Sequence, residues 1–130
     1  MSEGVLKDQI DCRTGAGGYL RFSLFKEGRP LSPMGGNFVY VKNDGPDGHQ
    51  VIFAGQTDNL ALHAQERWSE AQGKYGVEGL YTRLNITTAV RRREHGELLD
   101  ALDPPMNAGE PRPNDKRDAS DGDAASAGGF

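Results

Sequence analysis

Two kinds of hydrophobic pattern divide the chain into predicted strands and helices. Aromatic and β-branched residues dominate segments 38–41 and 51–54, and residues rich in Asn, Asp and Gly separate the two segments. This arrangement predicts a β-hairpin with a long loop. A similar alternation over residues 19–25 predicts an additional strand in front of the hairpin, and a looser alternation over residues 80–86 predicts a strand after it.

Two later segments have helical periodicity instead. The first covers residues 59–72 and places four apolar side chains on one helix face: Leu60, Ala64, Trp68 and Ala71. Thr57 or Asp58 precedes it as the expected N-cap. The second helix is predicted over residues 88–102, because Pro104 and the proline after it cannot continue a helix.

The order of these elements predicts an α+β domain. Its expected core is a small antiparallel three-stranded sheet flanked by helices, with an extra N-terminal strand. Residues 1–18 are predicted to form a flexible N-terminal arm, and residues 19–35 form the additional strand and a turn. Residues 36–107 are the main domain. Residues 108–130 contain almost no large apolar side chain, which predicts a disordered acidic tail.

Composition narrows the classes of function. A length of 130 residues suits one domain, and the single cysteine, Cys12, excludes an internal disulfide and a cysteine-rich zinc cluster. No apolar run is long enough to cross a bilayer, and the first residues lack a signal-peptide pattern, so we expect a cytoplasmic protein without a membrane partner. The net charge of −4 counts against the whole molecule as an electrostatic binder of nucleic acid.

Residues 36–107 resemble the GIY-YIG nuclease family in the order and spacing of their motifs. Gly36-Asn37-Phe38 opens the hairpin, and Phe53-Ala54-Gly55 lies on its second strand. Glu97 lies in the last predicted helix, which is followed by Pro104-Pro105-Met106-Asn107. The resemblance implies a nuclease-like fold with a single site around the hairpin and the helices.

The resemblance also implies that two motif tyrosines are missing. The first corresponds to Phe38, or to Val39 if the register is counted back from the end of the strand. The second corresponds to Phe53. Neither phenylalanine can transfer a proton, and both are also typical core aromatics. Tyr40 is another candidate hydroxyl, provided that no bulge moves it to the other face from Phe38.

At the remaining family positions, some of the family's residues are present in this sequence and others are replaced. The metal-binding glutamate corresponds to Glu97, with Mg²⁺ or Mn²⁺ as the implied ion, and the family's asparagine corresponds to Asn107. The helix arginine is replaced by His63, and Arg67, one turn later, is able to take its place. Each of these side chains also has a purely structural interpretation, as a solvated helix residue, a residue at the rim of the packed face or a turn residue.

A run of three arginines forms a local positive spot at the start of the second helix. With Arg67, this run is the predicted nucleic-acid-binding surface: Arg91, Arg92 and Arg93. In many proteins, such a run is only a solvated helix start.

Our hypothesis from the sequence is a degenerate GIY-YIG-like domain with impaired catalysis. It acts as a nucleic-acid-binding or assembly module, with DNA, RNA or a protein as its partner. Losing a general base commonly costs about 10²–10⁴-fold in rate, and losing a phosphate-binding cation costs a comparable factor. The alternatives are an active metal-dependent endonuclease that uses Glu97 as metal ligand, and a purely protein-binding accessory domain.

Overall fold

The computed structural model describes residues 6–15, 17–44 and 48–110 of the chain. Its five strands are β1 (Gln9–Arg13), β2 (Tyr19–Leu24), β3 (Gly36–Asn43), β4 (His49–Thr57) and β5 (Gly79–Leu84). Its helices are α1 (Leu60–His63), α2 (Trp68–Tyr75) and α3 (Thr88–Leu102), followed by a short 3-10 helix (Pro105–Asn107). The predicted bounds of the second helix, residues 88–102, are confirmed by α3.

All five strands form one antiparallel sheet in the order β1-β2-β5-β3-β4. The prediction of a three-stranded sheet with a separate extra strand is therefore wrong. Strand β5 pairs with β3 along one edge, and its other edge pairs with β2 at Ser23–Thr82 and Leu24–Tyr81. A hydrophobic pattern shows that a segment is a strand, but not which edges it will use, and this is why the larger sheet was missed.

Strand β1 lies inside the segment predicted as a flexible arm. Ile10 and Cys12 point into the core, while the residues between and beside them are exposed. The arm assignment is thus corrected for Gln9–Arg13, where only two apolar side chains mark the strand. Of the predicted tail, residues 108–110 continue the fold, and residues 111–130 lie outside the described residues.

The sheet separates two hydrophobic clusters, because alternate residues of β3 point to opposite faces. Val39 and Val41 join Leu98 and Leu99 of α3 in the first cluster. The second cluster packs under α1 and α2, and its members include Phe38, Tyr40, Ile52, Phe53, Leu60, Ala64 and Ala71. Helix α3 therefore packs on one face of the sheet, and α1 and α2 pack on the other. Strand β4 is an edge strand of the sheet.

The regular register of the central hairpin places its aromatic residues together, and a β-bulge follows them. Tyr40 is paired with Phe53 and Val41 with Val51, so Ile52 is the extra residue of β4. Phe38 and Tyr40 remain on one face, since the bulge lies on the opposite strand.

The first predicted helix is not continuous. It is divided into α1 and α2 by a turn over residues 64–67. In this turn, the buried Tyr40 hydroxyl donates to the Ala64 carbonyl at 2.7 Å and accepts from the Arg67 amide at 3.2 Å. These backbone groups are satisfied by a strand side chain, which allows the helix to break. The N-cap of α1 is Asn59, whose side chain accepts from the Leu62 amide at 3.2 Å, rather than the predicted Thr57 or Asp58.

Candidate functional site

A cavity of about 320 Å³ lies beside the edge strand β4. Its lining includes the β4 residues 53–57, residues of the turn after α1, and side chains from α3 and the segment that follows it. Phe38, Tyr40 and Phe53 form its aromatic wall, with ring centroids 5.2 to 5.9 Å apart. Segments that are distant in the chain therefore contribute to one concave surface.

Two basic side chains enter this cavity from the end of α1 and the turn that follows it. The His63 Nδ1 atom lies 2.6 Å from the Glu66 carboxylate, and the Arg67 guanidinium makes two hydrogen bonds to Glu70 at 3.0 and 3.1 Å. The Arg67 Cζ atom also lies 5.0 Å from the centroid of the Phe53 ring. This places a cation over the face of an aromatic ring, which is a favourable cation–π arrangement.

A third basic side chain comes from α3. The His95 Nε2 atom lies 2.6 Å from Glu110 Oε2, and Glu110 Oε1 accepts from the Asn107 side chain at 2.7 Å. The Nδ1 atom of His95 is buried and has no hydrogen-bond partner in the described part of the chain. Asn107 is in turn fixed to β4, because its amide group donates to the Ala54 carbonyl and accepts from the Ala54 amide.

The Tyr40 hydroxyl is poorly suited to proton transfer. Burial raises the pKa of Tyr40 to about 12, although its hydrogen bond with the Arg67 backbone opposes this effect. The hydroxyl already donates to one backbone group and accepts from another. A general base works best with a pKa near the working pH, so Tyr40 is a structural hydroxyl at the wall of the cavity.

The structure brings together four of the nine predicted site residues. Phe38, Phe53, His63 and Arg67 all line the cavity. Asn107 is 1% exposed and reaches this region indirectly, through its bonds to Ala54 and Glu110.

Glu97 does not line this cavity. Its carboxylate lies 3.9 Å from the Arg93 guanidinium, and its backbone carbonyl accepts from the Gly15 amide. Glu97 is two residues after His95 on α3, so the two side chains point in nearly opposite directions around the helix axis. Across residues 6–15, 17–44 and 48–110, no group of three or more His, Cys, Asp or Glu could hold a metal ion. Glu97 therefore belongs to no such group, and its carboxylate lies beside Arg93 instead.

The prediction that Arg91 belongs to a nucleic-acid-binding surface is corrected by its burial. Arg91 is 4% exposed, and its guanidinium donates to Gln56 and to the backbone carbonyls of Asn85 and Ile86. An arginine enclosed in this way is a structural link between α3, β4 and the end of β5, and it cannot contact a phosphate.

The other two arginines remain at the surface. Arg92 is exposed, and Arg93 lies 4.0 Å from Glu94 as well as near Glu97. Neither lines the cavity.

Two cavity residues, His95 and Glu110, were missed by the sequence analysis. They are 15 residues apart and meet only because the chain reverses through the 3-10 helix after α3. The proline pair indicated that the helix ends, but no local signal shows where the returning side chain will point.

Comparison of the chain with protein-family models, with curated proteins and with solved structures finds no match. Within the described ranges, no helix has the length and hydrophobicity that crossing a membrane requires.

Proposed function

We propose that this chain is a degenerate GIY-YIG-like domain with impaired phosphodiester cleavage, and that it binds nucleic acid through the cavity beside β4. The observation that carries the proposal is the convergence of His63, Arg67 and His95 on one cavity with an aromatic wall. Basic side chains suit a nucleic-acid strand because they contact its phosphates, while the buried rings of Phe38, Tyr40 and Phe53 form the wall behind them.

The hydrogen bonds of these basic groups are compatible with ligand binding. The pairs His63–Glu66 and Arg67–Glu70 are each three residues apart, and all four side chains are substantially exposed. Exposed ion pairs contribute little to stability, so a phosphate group can replace either carboxylate at small cost.

Three features support impaired cleavage. The hydroxyl of Tyr40 is engaged by the backbone, and its pKa is raised to about 12. Phe38 and Phe53 have no hydroxyl group. The carboxylate of Glu97 lies beside Arg93 and outside the cavity. Hydrolysis would therefore lack the tyrosine hydroxyls and the glutamate that the resemblance implies at the place where a phosphate would bind.

Binding is tested by fluorescence anisotropy with labelled single and double strands of DNA and RNA, from about 50 mM to about 200 mM salt. We expect salt-dependent binding, and we expect Arg67→Gln to weaken it and to reduce the salt slope by about 0.7 to 0.9. Arg21→Gln is the matched control, because Arg21 is an exposed β2 residue paired with Asp11 and does not line the cavity. The same slope in both variants would contradict the proposed site.

Cleavage is tested on plasmid and on labelled strands with Mg²⁺ or Mn²⁺. We expect no nicking above that of a protein-free control. Nicking by the wild type that disappears in Glu97→Ala would instead establish the active endonuclease. If none of the strands shows salt-dependent binding, the result favours a purely protein-binding domain.

A further inference from the structure

The carboxylate of Glu110 is an anionic group that lies inside the candidate site. Its carboxylate contacts one nitrogen with each oxygen: Oε2 lies 2.6 Å from His95 Nε2, and Oε1 lies 2.7 Å from Asn107 Nδ2. The side chain of Glu110 is 35% exposed, whereas that of His95 is 14% exposed. The carboxylate therefore covers a largely buried histidine at the wall of the cavity.

A phosphate group makes the same kind of contacts. Carboxylate and phosphate both offer pairs of charged oxygens, and both form strong hydrogen bonds with nitrogen donors. The Nδ1 atom of His95 is buried without a partner among residues 6–15, 17–44 and 48–110, so Glu110 satisfies only one of the two ring nitrogens. A phosphate that replaces the carboxylate meets the same two nitrogen atoms, His95 Nε2 and Asn107 Nδ2.

The backbone that carries Glu110 is anchored independently of its carboxylate. The Glu110 amide donates to the Asn107 carbonyl at 2.9 Å, and the Asn107 side chain makes two bonds to Ala54 of β4. Gly109 has a φ of 89°, which permits the turn between them. The carboxylate can therefore rotate out of the cavity while the turn keeps its place on the sheet.

This contact differs from the other two ion pairs of the cavity. His63–Glu66 and Arg67–Glu70 are each formed within one local segment. Glu110 instead approaches from beyond the end of α3, so its position depends on the segment that follows the main domain.

We propose that Glu110 is a built-in competitor of the ligand, displaced from His95 and Asn107 by a phosphate group of the bound nucleic acid. This inference rests on the proposed function. It makes the segment after α3 a restraint on affinity, because the ligand must first remove an anion that the chain itself supplies. Removing the charge of Glu110 thus strengthens binding.

The test compares Glu110→Gln with wild type in the anisotropy assay, using the same labelled strands. Glutamine keeps the size of the side chain and removes its charge, so we expect binding roughly 5- to 50-fold tighter, since like charges at a binding site are strongly unfavourable. Glu27→Gln is the matched control. It changes the net charge equally at an exposed turn that does not line the cavity.

A second variant and a spectroscopic readout make the result decisive. Glu110→Ala is expected to bind at least as tightly as Glu110→Gln, because it also removes the competing acceptor. In wild type, ligand titration should shift the NMR signals of the His95 ring, as its contact with Glu110 is exchanged for one with phosphate. Circular dichroism checks that each variant is folded.

The two proposals fail in different ways. If wild type binds and Arg67→Gln weakens binding, but Glu110→Gln binds no more tightly than Glu27→Gln, the competitor role is overturned and the proposed function stands. Weaker binding by Glu110→Gln would show instead that Glu110 positions His95 for the ligand. If no variant binds any strand, both proposals are overturned.

Discussion

The hydroxyl of Tyr40 connects the central hairpin to the helical layer. It is fully buried, donates to the carbonyl of Ala64 and accepts from the amide of Arg67. This turn carries Arg67 to the cavity, and His63, the last residue of α1, comes directly before it. One buried hydroxyl thus fixes the local backbone from which two of the three basic side chains arise.

Replacing Tyr40 with phenylalanine is expected to reduce the free energy of unfolding by about 1 to 3 kcal/mol, because the buried Ala64 carbonyl and the partly buried Arg67 amide lose their partner. Urea unfolding measures this change. Tyr19→Phe is the matched control, since Tyr19 is 65% exposed, and a surface change of this kind stays within about 0.5 kcal/mol. Equal stability of Tyr40→Phe and wild type would show that these hydrogen bonds contribute nothing.

Helix α2 carries two glycines in different backbone conformations. Gly73 lies inside the helix, is exposed, and has free space where a Cβ atom would be placed. Gly76 is the C-cap and has a φ of 71°, which is a left-handed conformation. The same chemical change therefore has opposite consequences at the two positions.

We expect Gly73→Ala to raise the free energy of unfolding by about 0.5 to 1 kcal/mol, because alanine loses less backbone freedom in a helix. We expect Gly76→Ala to lower it by about 1 to 2 kcal/mol, because an L-residue is strained in the left-handed region. Thermal and urea unfolding of both variants measure the difference. The same direction of change in both would contradict the assigned end of α2.

The elements that were predicted correctly have local signals. The apolar pattern of residues 88–102 and the prolines after them define α3. The break between α1 and α2 has no such signal, because the group that stabilises it, the Tyr40 hydroxyl, comes from another part of the chain. The pairing of β2 with β5 is equally non-local.

The candidate site, like the fold, was predictable only where the sequence carries a local signal. Phe38, Phe53, His63 and Glu97 were expected around one site; the first three line the cavity together with Arg67, and Glu97 lies outside it. His95 and Glu110 needed the path of the chain after α3, which the sequence does not specify.

At the scale of the whole molecule, three buried groups make the free energy of unfolding depend on pH in the alkaline range. They are one thiol and two phenols. Burial is the largest cause that raises the pKa of Cys12, Tyr40 and Tyr81 to about 12. Their ordinary values are 9.0 for the thiol and 10.0 for the phenols. Above these values the unfolded chain loses protons that the folded protein keeps, so the free energy of unfolding decreases as pH rises.

We expect stability to be constant near pH 8 and to fall progressively from about pH 9 to about pH 12. Urea unfolding at several pH values measures this loss. In Cys12→Ala, the earliest part of the decrease should be smaller, because the group with the lowest ordinary pKa is removed. Stability that does not change up to about pH 11 would contradict the burial of these groups.

The position of β5 between β2 and β3 affects how the chain folds during its synthesis. The β1–β2 ribbon is synthesised before the other described strands, yet β5 is its only neighbour in the described sheet. Its apolar face, which includes Cys12 and Phe22, joins the cluster completed by Leu98 and Leu99 of α3. Until those later residues emerge, the nascent ribbon has an uncovered hydrophobic side, which is the stage at which chaperones or aggregation would compete with folding.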